Sequence, residues 1–247
     1  MKSWKALKHV FNAWIKKDAY SRFVLAEKLA GKIYPKYKFS EFGRIFLDDN
    51  DFLKYYESFQ GTNNYHSLDR KYTLDQIMKG IIAIQGDTAE CGTFECASSY
   101  LICRRIQGQN RKHNFVDSFQ GLSAPGSYDG TYWKKGVLVS SESLTRKNLK
   151  EFDCVVYHPG WIPEKFSEVA HLHFAFVHLD IDLYQPTLDA LTFFYQRIYP
   201  GGMILCDDYG FATCPCVKKA MDGFFSDKPE KIMRFPTGQA LVIRRYA

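Results

Sequence analysis

Phe174-Ala-Phe-Val-His-Leu179 running into Asp180-Ile181-Asp182, and Met203-Ile-Leu-Cys206 running into Asp207-Asp208, decide the fold of this 247-residue chain. Each apolar run is short, uninterrupted and of the kind that fills a strand buried on both faces. Between them Pro186 suits the first turn of a helix, where its missing N–H costs nothing. Leu188, Leu191, Tyr195 and Ile198 give that helix one apolar side, and Pro200-Gly-Gly202 reads as its stop. Strand, helix, strand is a parallel unit, and ligands of open α/β sheets sit outside the carboxyl ends of the strands. Strand alternation puts Asp180 and Asp182 on one face, with Ile181 turned away into packing. Four carboxylates sharing one crevice repel one another unless a cation or protons compensate them. A hard divalent cation with oxygen ligands, Mg²⁺ above all, meets that need, and an all-oxygen donor set argues against zinc.

Working outward, the same alternation of elements recurs. Thr73-Leu-Asp-Gln76 fits a capping box, and Leu74, Ile77, Met78, Ile81 and Ile82 form the face of the helix behind it. Thr88-Ala-Glu-Cys91 is a short strand turning at Gly92 into a helix over 95–107. His113-Asn-Phe-Val-Asp117 and Asp153-Cys-Val-Val-Tyr157 read as two more strands. At the C-terminus, residues 231–235 and 239–244 form a hairpin about Pro236-Thr-Gly238. The expected class is α/β, with a mostly parallel sheet and an antiparallel C-terminal hairpin edge. Residues 1–60 read as a helical N-terminal cap and 61–247 as the α/β domain. Trp4, Leu7, Phe11, Trp14 and Ile15 recur at helical spacing. Such a stripe more often packs on its own domain than on a membrane surface or a partner, and it also offers a route to a homo-oligomer.

The composition excludes several classes. The formal net charge is +6, but the 33 Lys and Arg residues are scattered, so no basic stripe points to nucleic acid. No apolar run approaches membrane-spanning length, and lysines break up the N-terminus as a signal peptide. Seven cysteines, an odd number in mostly apolar surroundings, suit reduced thiols in a cytoplasm. Cys214-Pro-Cys216 has no second pair at zinc-ligand spacing. His171 and His173 lack a third ligand, and His178 reads either as a packed strand residue or as a group orienting a carboxylate. Tyr128, Tyr132 and Trp133 lie in a long connection, 120–140, that is either a closure over a ligand or an aromatic-rich loop.

At the other strand ends, Gly92 permits a tight turn and close backbone approach, and the helix N-terminus behind it suits a carboxylate. Asp117 ends the next strand where an acid reaches ribose hydroxyls in Rossmann-like folds. The triple-glycine fingerprint of dinucleotide enzymes is absent. Singly, each acid reads equally as a helix cap or a solvated turn.

Together, Phe115-Val-Asp-Ser-Phe-Gln-Gly-Leu122, Leu179-Asp-Ile-Asp-Leu-Tyr-Gln-Pro-Thr187 and Pro200-Gly-Gly-Met-Ile-Leu-Cys-Asp-Asp-Tyr-Gly210 resemble the macrocin O-methyltransferase (TylF-type) family, from about Ser67 onward. The resemblance implies a Rossmann-like class I methyltransferase fold, S-adenosylmethionine, Mg²⁺ and methylation of a hydroxyl on a sugar or a glycosidic or nucleotide-linked small molecule. It places Asp180, Asp207 and Asp208 on the metal and makes Asp182 the general base. Glu90, Gly92, Ser98, Asp117, Ser118, Gly160 and Trp161 fall on the cofactor side. Glu95-Cys96-Ala97 departs from the family's arginine and paired glycines, so a side chain stands where close backbone approach is expected. A nucleic-acid-directed methyltransferase and a non-catalytic nucleotide-binding protein are the alternative readings.

Overall fold

The computed structural model describes residues 2–35, 45–59 and 67–246, with side chains from residue 6 onward, so Trp4 and the expected 60/61 boundary lie outside what it describes. The chain divides into two compact units, Met1–Tyr55 and Tyr56–Ala247. In the first, helices α1 (Lys2–Trp14) and α2 (Ala19–Ile33) pack together. Asp18 caps α2 by accepting from the Ser21 amide at 2.8 Å, and His9 Nδ1 lies 3.1 Å from Ser21 Oγ. Leu7, Phe11, Trp14 and Ile15 are each more than half exposed. Within this unit α2 covers the opposite face of α1, around Ala13 and Ser21. A third helix, α3 (Asn50–Ser58), crosses the division.

The larger unit is built on a seven-stranded sheet in the order β3-β2-β1-β4-β5-β7-β6. The strands are β1 (Asp87–Cys91), β2 (His113–Asp117), β3 (Val155–Pro159), β4 (Phe174–Leu179), β5 (Ile198–Cys206), β6 (Met233–Arg234) and β7 (Ala240–Ile243). The first five pair in parallel, while β7 runs antiparallel to both β5 and β6. Helices α4 (Leu68–Lys79), α5 (Ala97–Ile106), α6 (Glu142–Asn148), α7 (Tyr184–Tyr195) and α8 (Pro215–Phe224) flank it. The order reverses between β1 and β4, the switch point where an α/β sheet opens a ligand crevice. Registers Cys91↔Leu179 and Leu179↔Cys206 bring Gly92, Asp180 and Asp207 to the rim of that opening.

Two local expectations are corrected. Helix α4 starts at Leu68 behind Ser67, so Thr73 lies mid-helix and caps nothing. Pro200-Gly-Gly202 does not stop α7, which ends at Tyr195. It forms a bulge inside β5, where the pairing with β4 jumps from Ile198 to Met203 and Gly201 takes φ +82°. Beneath the rim, Phe174, Phe176, Leu191 and Phe194 are fully buried, and Phe166 stacks on Phe193 at 4.5 Å. No helix among the described residues is long and apolar enough to cross a membrane.

Candidate active site

A cavity of about 350 Å³ opens over the carboxyl ends of β1, β2, β4 and β5. On one side it is walled by Gly92, Asp117, Ser118, Gly160 and Trp161, and on the other by Asp180, Asp182 and Asp208. Most of the residues singled out in the sequence thus share one chamber. Gly92 is indispensable to its shape. It takes φ +79°, and an added Cβ would run into the Asp180 carbonyl, so the β1 turn and the β4 end are in backbone contact. Asp117 accepts from the Thr93 amide at 2.7 Å, the Thr93 hydroxyl at 3.0 Å and the Phe119 amide at 2.7 Å. Its carboxylate therefore ties the turns after β1 and β2 while facing the cavity.

Glu90, Ser98 and Asp207 do not line the cavity. Glu90 is buried on β1 and accepts from the Ser99 hydroxyl, with His113 Nε2 at 3.2 Å and His178 Nδ1 at 2.9 Å. Burial opposes its ionisation, but the two imidazoles more than reverse this and hold it down at about 2. Ser98 Oγ accepts from Lys71 Nζ at 2.6 Å. Cys96 adopts the left-handed conformation at φ +68° and is fully buried, with no part in the cavity wall. Its thiol is pushed up to about 12, chiefly by burial.

The acidic residues split by chain direction. Asp207 and Asp208 are adjacent at a strand end, so they point to opposite sides. Asp207 pairs with Arg70, lies 3.6 Å from Lys71 Nζ and 3.4 Å from His178 Nε2, and accepts from Gln239 Nε2 at 2.5 Å. Burial resists its charge, yet Arg70, Lys71 and His178 hold it well below the ordinary carboxylate range. Asp208 instead accepts from the Asp182 amide at 3.1 Å, and burial with the neighbouring Asp182 and Asp180 pushes it well up. Asp180 is likewise raised, by burial and then by Asp207. Asp182 is raised to about 7 by burial and by Asp180, with partial relief from Cys214.

The expected side-chain alternation over 180–182 is corrected. Strand β4 ends at Leu179, Asp182 takes φ +57°, and Ile181 lines the cavity beside both acids. Cys214 Sγ donates to Asp182 Oδ1 at 3.3 Å, Cys216 Sγ donates to its carbonyl at 3.2 Å, and Trp133 Nε1 donates to Cys214 at 3.2 Å. The donor set is also wider than oxygen alone. Ligand-capable atoms of His178, Asp180 and Asp207 lie within 4.8 Å of one another, as do those of Asp182, Asp208 and Cys214.

Arg70, Lys71, Gln239 and Phe211 escaped the sequence reading, which weighed Cys214 only as half of a zinc pair. The signal for the first two was present: Arg70, Lys71, Leu74, Asp75 and Met78 share the buried face of α4, so two cations stand where apolar residues belong. Trp133 and Tyr132 line the cavity, whereas Tyr128 is half exposed under Lys219. Their connection is anchored by Asp129, which accepts from the Tyr184 amide at 2.7 Å.

The model of the family described as "Macrocin-O-methyltransferase (TylF)" matches residues 61–232. The chain is 29% identical over 173 residues to a demethyldecarbamoylnovobiocin O-methyltransferase of Streptomyces niveus, covering 64% of this chain and 65% of that protein. It is 28% identical over 163 residues to a Streptomyces olivaceus 4'-O-methyltransferase acting on a dimethoxyrhamnosyl tetracenomycin, covering 60% and 62%. The matches thus span a little under two thirds of these curated relatives. Among solved structures, the O-methyltransferase NovP superposes with a TM-score of 0.63 at 26% identity, over 74% of this chain and 84% of its own. With more than half its length matched by the family model, the chain belongs to the macrocin-O-methyltransferase (TylF) family.

Proposed function

We propose that this protein transfers the methyl group of S-adenosylmethionine to a hydroxyl of a sugar-bearing small molecule, with Mg²⁺ as the assisting cation and Asp182 as general base. The observation that carries the reading is the single cavity joining the Gly92 turn and Asp117 to Asp180, Asp182 and Asp208. Family membership and the sugar O-methyltransferases similar to it support the acceptor class.

The cavity fits both groups. Gly92 brings backbone close without a side chain, Asp117 stands where hydroxyls of a ribose can donate, and Trp161 and Val116 offer apolar surface for a base. At the other end, burial and mutual repulsion raise Asp180 and Asp208, a deficit of positive charge that a cation relieves. Asp180 and Asp208, which line the cavity, would hold it, and Asp207, the third acid that the family resemblance implies, stands behind Asp180 against Arg70 and Lys71. When bound, S-adenosylmethionine supplies an activated methyl group, and the cation supplies charge that favours ionisation of a nearby hydroxyl.

The protein's own side chains do the rest. Asp182, held near neutrality and oriented by Cys214 and its own backbone turn, accepts the hydroxyl proton at a carboxylate oxygen. Trp133, Tyr132 and Phe211 line the cavity with flat apolar faces that suit the C–H face of a sugar ring. Alignment of acceptor and methyl donor in one chamber supplies the larger share of rate enhancement in such transfers. Calorimetric titration tests the assignment: S-adenosylmethionine should bind and NAD should not. The reverse preference would overturn the methyltransferase reading.

A further inference from the structure

His178 is fully buried in β4, two residues before Asp180. Its Nδ1 lies 2.9 Å from Glu90 Oε1. An ionised carboxylate only accepts, so Nδ1 carries a hydrogen, and Nε2 is the nitrogen whose lone pair is available in the neutral ring. That Nε2 has no hydrogen-bond partner; Asp207 Oδ1 is 3.4 Å away, an ion-pair separation without hydrogen-bond geometry. It lies in one group with carboxylate oxygens of Asp180 and Asp207, all within 4.8 Å, and Asp180 opens the group to the cavity. A carboxylate behind one imidazole nitrogen and a bare nitrogen in front is the arrangement that fixes tautomer and ring orientation in metal-ligating histidines. Glu90 is itself held in place from behind by Ser99 and His113.

A purely structural role, with a charged ring bridging Glu90 and Asp207, accounts for this geometry less well. Asp207 already has Arg70, Lys71 and Gln239 around it, and the Nε2 contact is not a hydrogen bond. We infer that His178 Nε2 is a nitrogen ligand, with Asp180 and Asp207, of the divalent cation in this cavity. The inference rests on the reading above that a cation binds there, and it extends that reading to metal selectivity. Imidazole adds more to the binding of Co²⁺, Ni²⁺ or Zn²⁺ than to that of Mg²⁺, so the site holds such ions more tightly than its carboxylates alone would.

The decisive readout needs no variant. Full-length protein labelled with ¹⁵N-histidine, loaded with Mn²⁺ and measured by pulsed electron paramagnetic resonance, should show the coupling of one directly bound imidazole nitrogen. His178→Gln should abolish that coupling. In Co²⁺/Mg²⁺ competition followed by calorimetry, the same variant should lose about tenfold or more of the preference for Co²⁺. Mn²⁺ bound with oxygen and water couplings alone would overturn the ligand assignment while leaving the cation reading in place. No Mn²⁺ bound at all would overturn both. Should His178→Gln fail to fold, the labelled wild-type spectrum still decides, with His113→Gln as the control for assignment.

Discussion

Asp182 concentrates the chemistry of the account in one carboxylate. Burial and Asp180 raise it to about 7, so it is ionised for proton transfer only as the pH climbs through that value. A bound cation lowers that value by offsetting the Asp180 charge, so turnover should rise with pH and level off at or below about 7. Asp182→Asn should leave S-adenosylmethionine affinity intact and lower turnover by about 10²–10⁴, the usual contribution of a general base. Normal turnover of that variant at neutral pH would remove Asp182 from the reaction. In the proposed reading Asp117 is its counterpart on the cofactor side. Replacing it with alanine should weaken S-adenosylmethionine binding more than about tenfold, since a charge-assisted contact contributes roughly 1.5–3 kcal/mol. Calorimetry reads this directly, and an unchanged dissociation constant would place Asp117 outside the binding site. Because Asp117 also holds the Thr93 and Phe119 amides, Asp117→Asn, which keeps an acceptor there, should lose less.

Among the elements, the strand ends matter most, because they carry Gly92, Asp117, Asp180 and Asp208 to one cavity. Gly92→Ala places a methyl against the Asp180 carbonyl in a left-handed conformation. It should cost at least about 1 kcal/mol of stability and separate the β1 turn from the β4 end, so both melting temperature and cofactor affinity should fall. A variant that melts and binds like the parent would show that this close contact is not required. The strands are legible because short runs rich in β-branched and aromatic residues end in acids: the reading of His113–Asp117 and Phe174–Leu179 coincides with β2 and β4. The start of α4 is hidden because Thr73-Leu-Asp-Gln76 has the spacing of a capping box, while Ser67, nearly two turns earlier, opens the helix with no side-chain hydrogen bond to mark it. The Pro-Gly-Gly bulge imitates a helix stop for a similar reason, since a chain break and a bulge both need a glycine at positive φ. Within the site, the carboxylates were visible as acids ending strands. Arg70, Lys71 and Gln239 were not, because their contacts with Asp207 span more than thirty residues of chain and no local pattern encodes them.

At the scale of the whole molecule, opposing carboxyl groups give the fold a pH signature. Asp182 titrates at about 7 when folded, against about 3.9 in an unfolded chain, so the folded state holds the extra proton between those values. Its contribution is present below the unfolded value and is lost as pH rises through about 7. Glu90 works the other way: its contribution is full above the unfolded value of 4.5 and is lost as pH falls toward 2. The metal-free protein should therefore lose part of its thermal stability between about pH 5 and pH 8. Mg²⁺ should raise the melting temperature more at the higher pH, where the carboxylates are ionised and repel. An equal Mg²⁺ effect at both pH values would speak against binding at these acids.

The division of the chain carries its own expectation. The whole sheet and cavity belong to the unit Tyr56–Ala247, so a chain beginning at Tyr56 should melt cooperatively and still bind S-adenosylmethionine. Loss of folding in the shortened chain would make residues 1–55 part of the same cooperative unit. The central claim, methyl transfer to a sugar hydroxyl, is tested most directly by following an isotopically labelled methyl group. Labelled S-adenosylmethionine and Mg²⁺ should place one methyl group on a hydroxyl oxygen of a glycosylated acceptor, located by mass spectrometry and NMR, and excess EDTA should abolish the transfer. Label on nitrogen or carbon, no transfer to any hydroxyl-bearing sugar despite cofactor binding, or full transfer in excess EDTA would contradict the account.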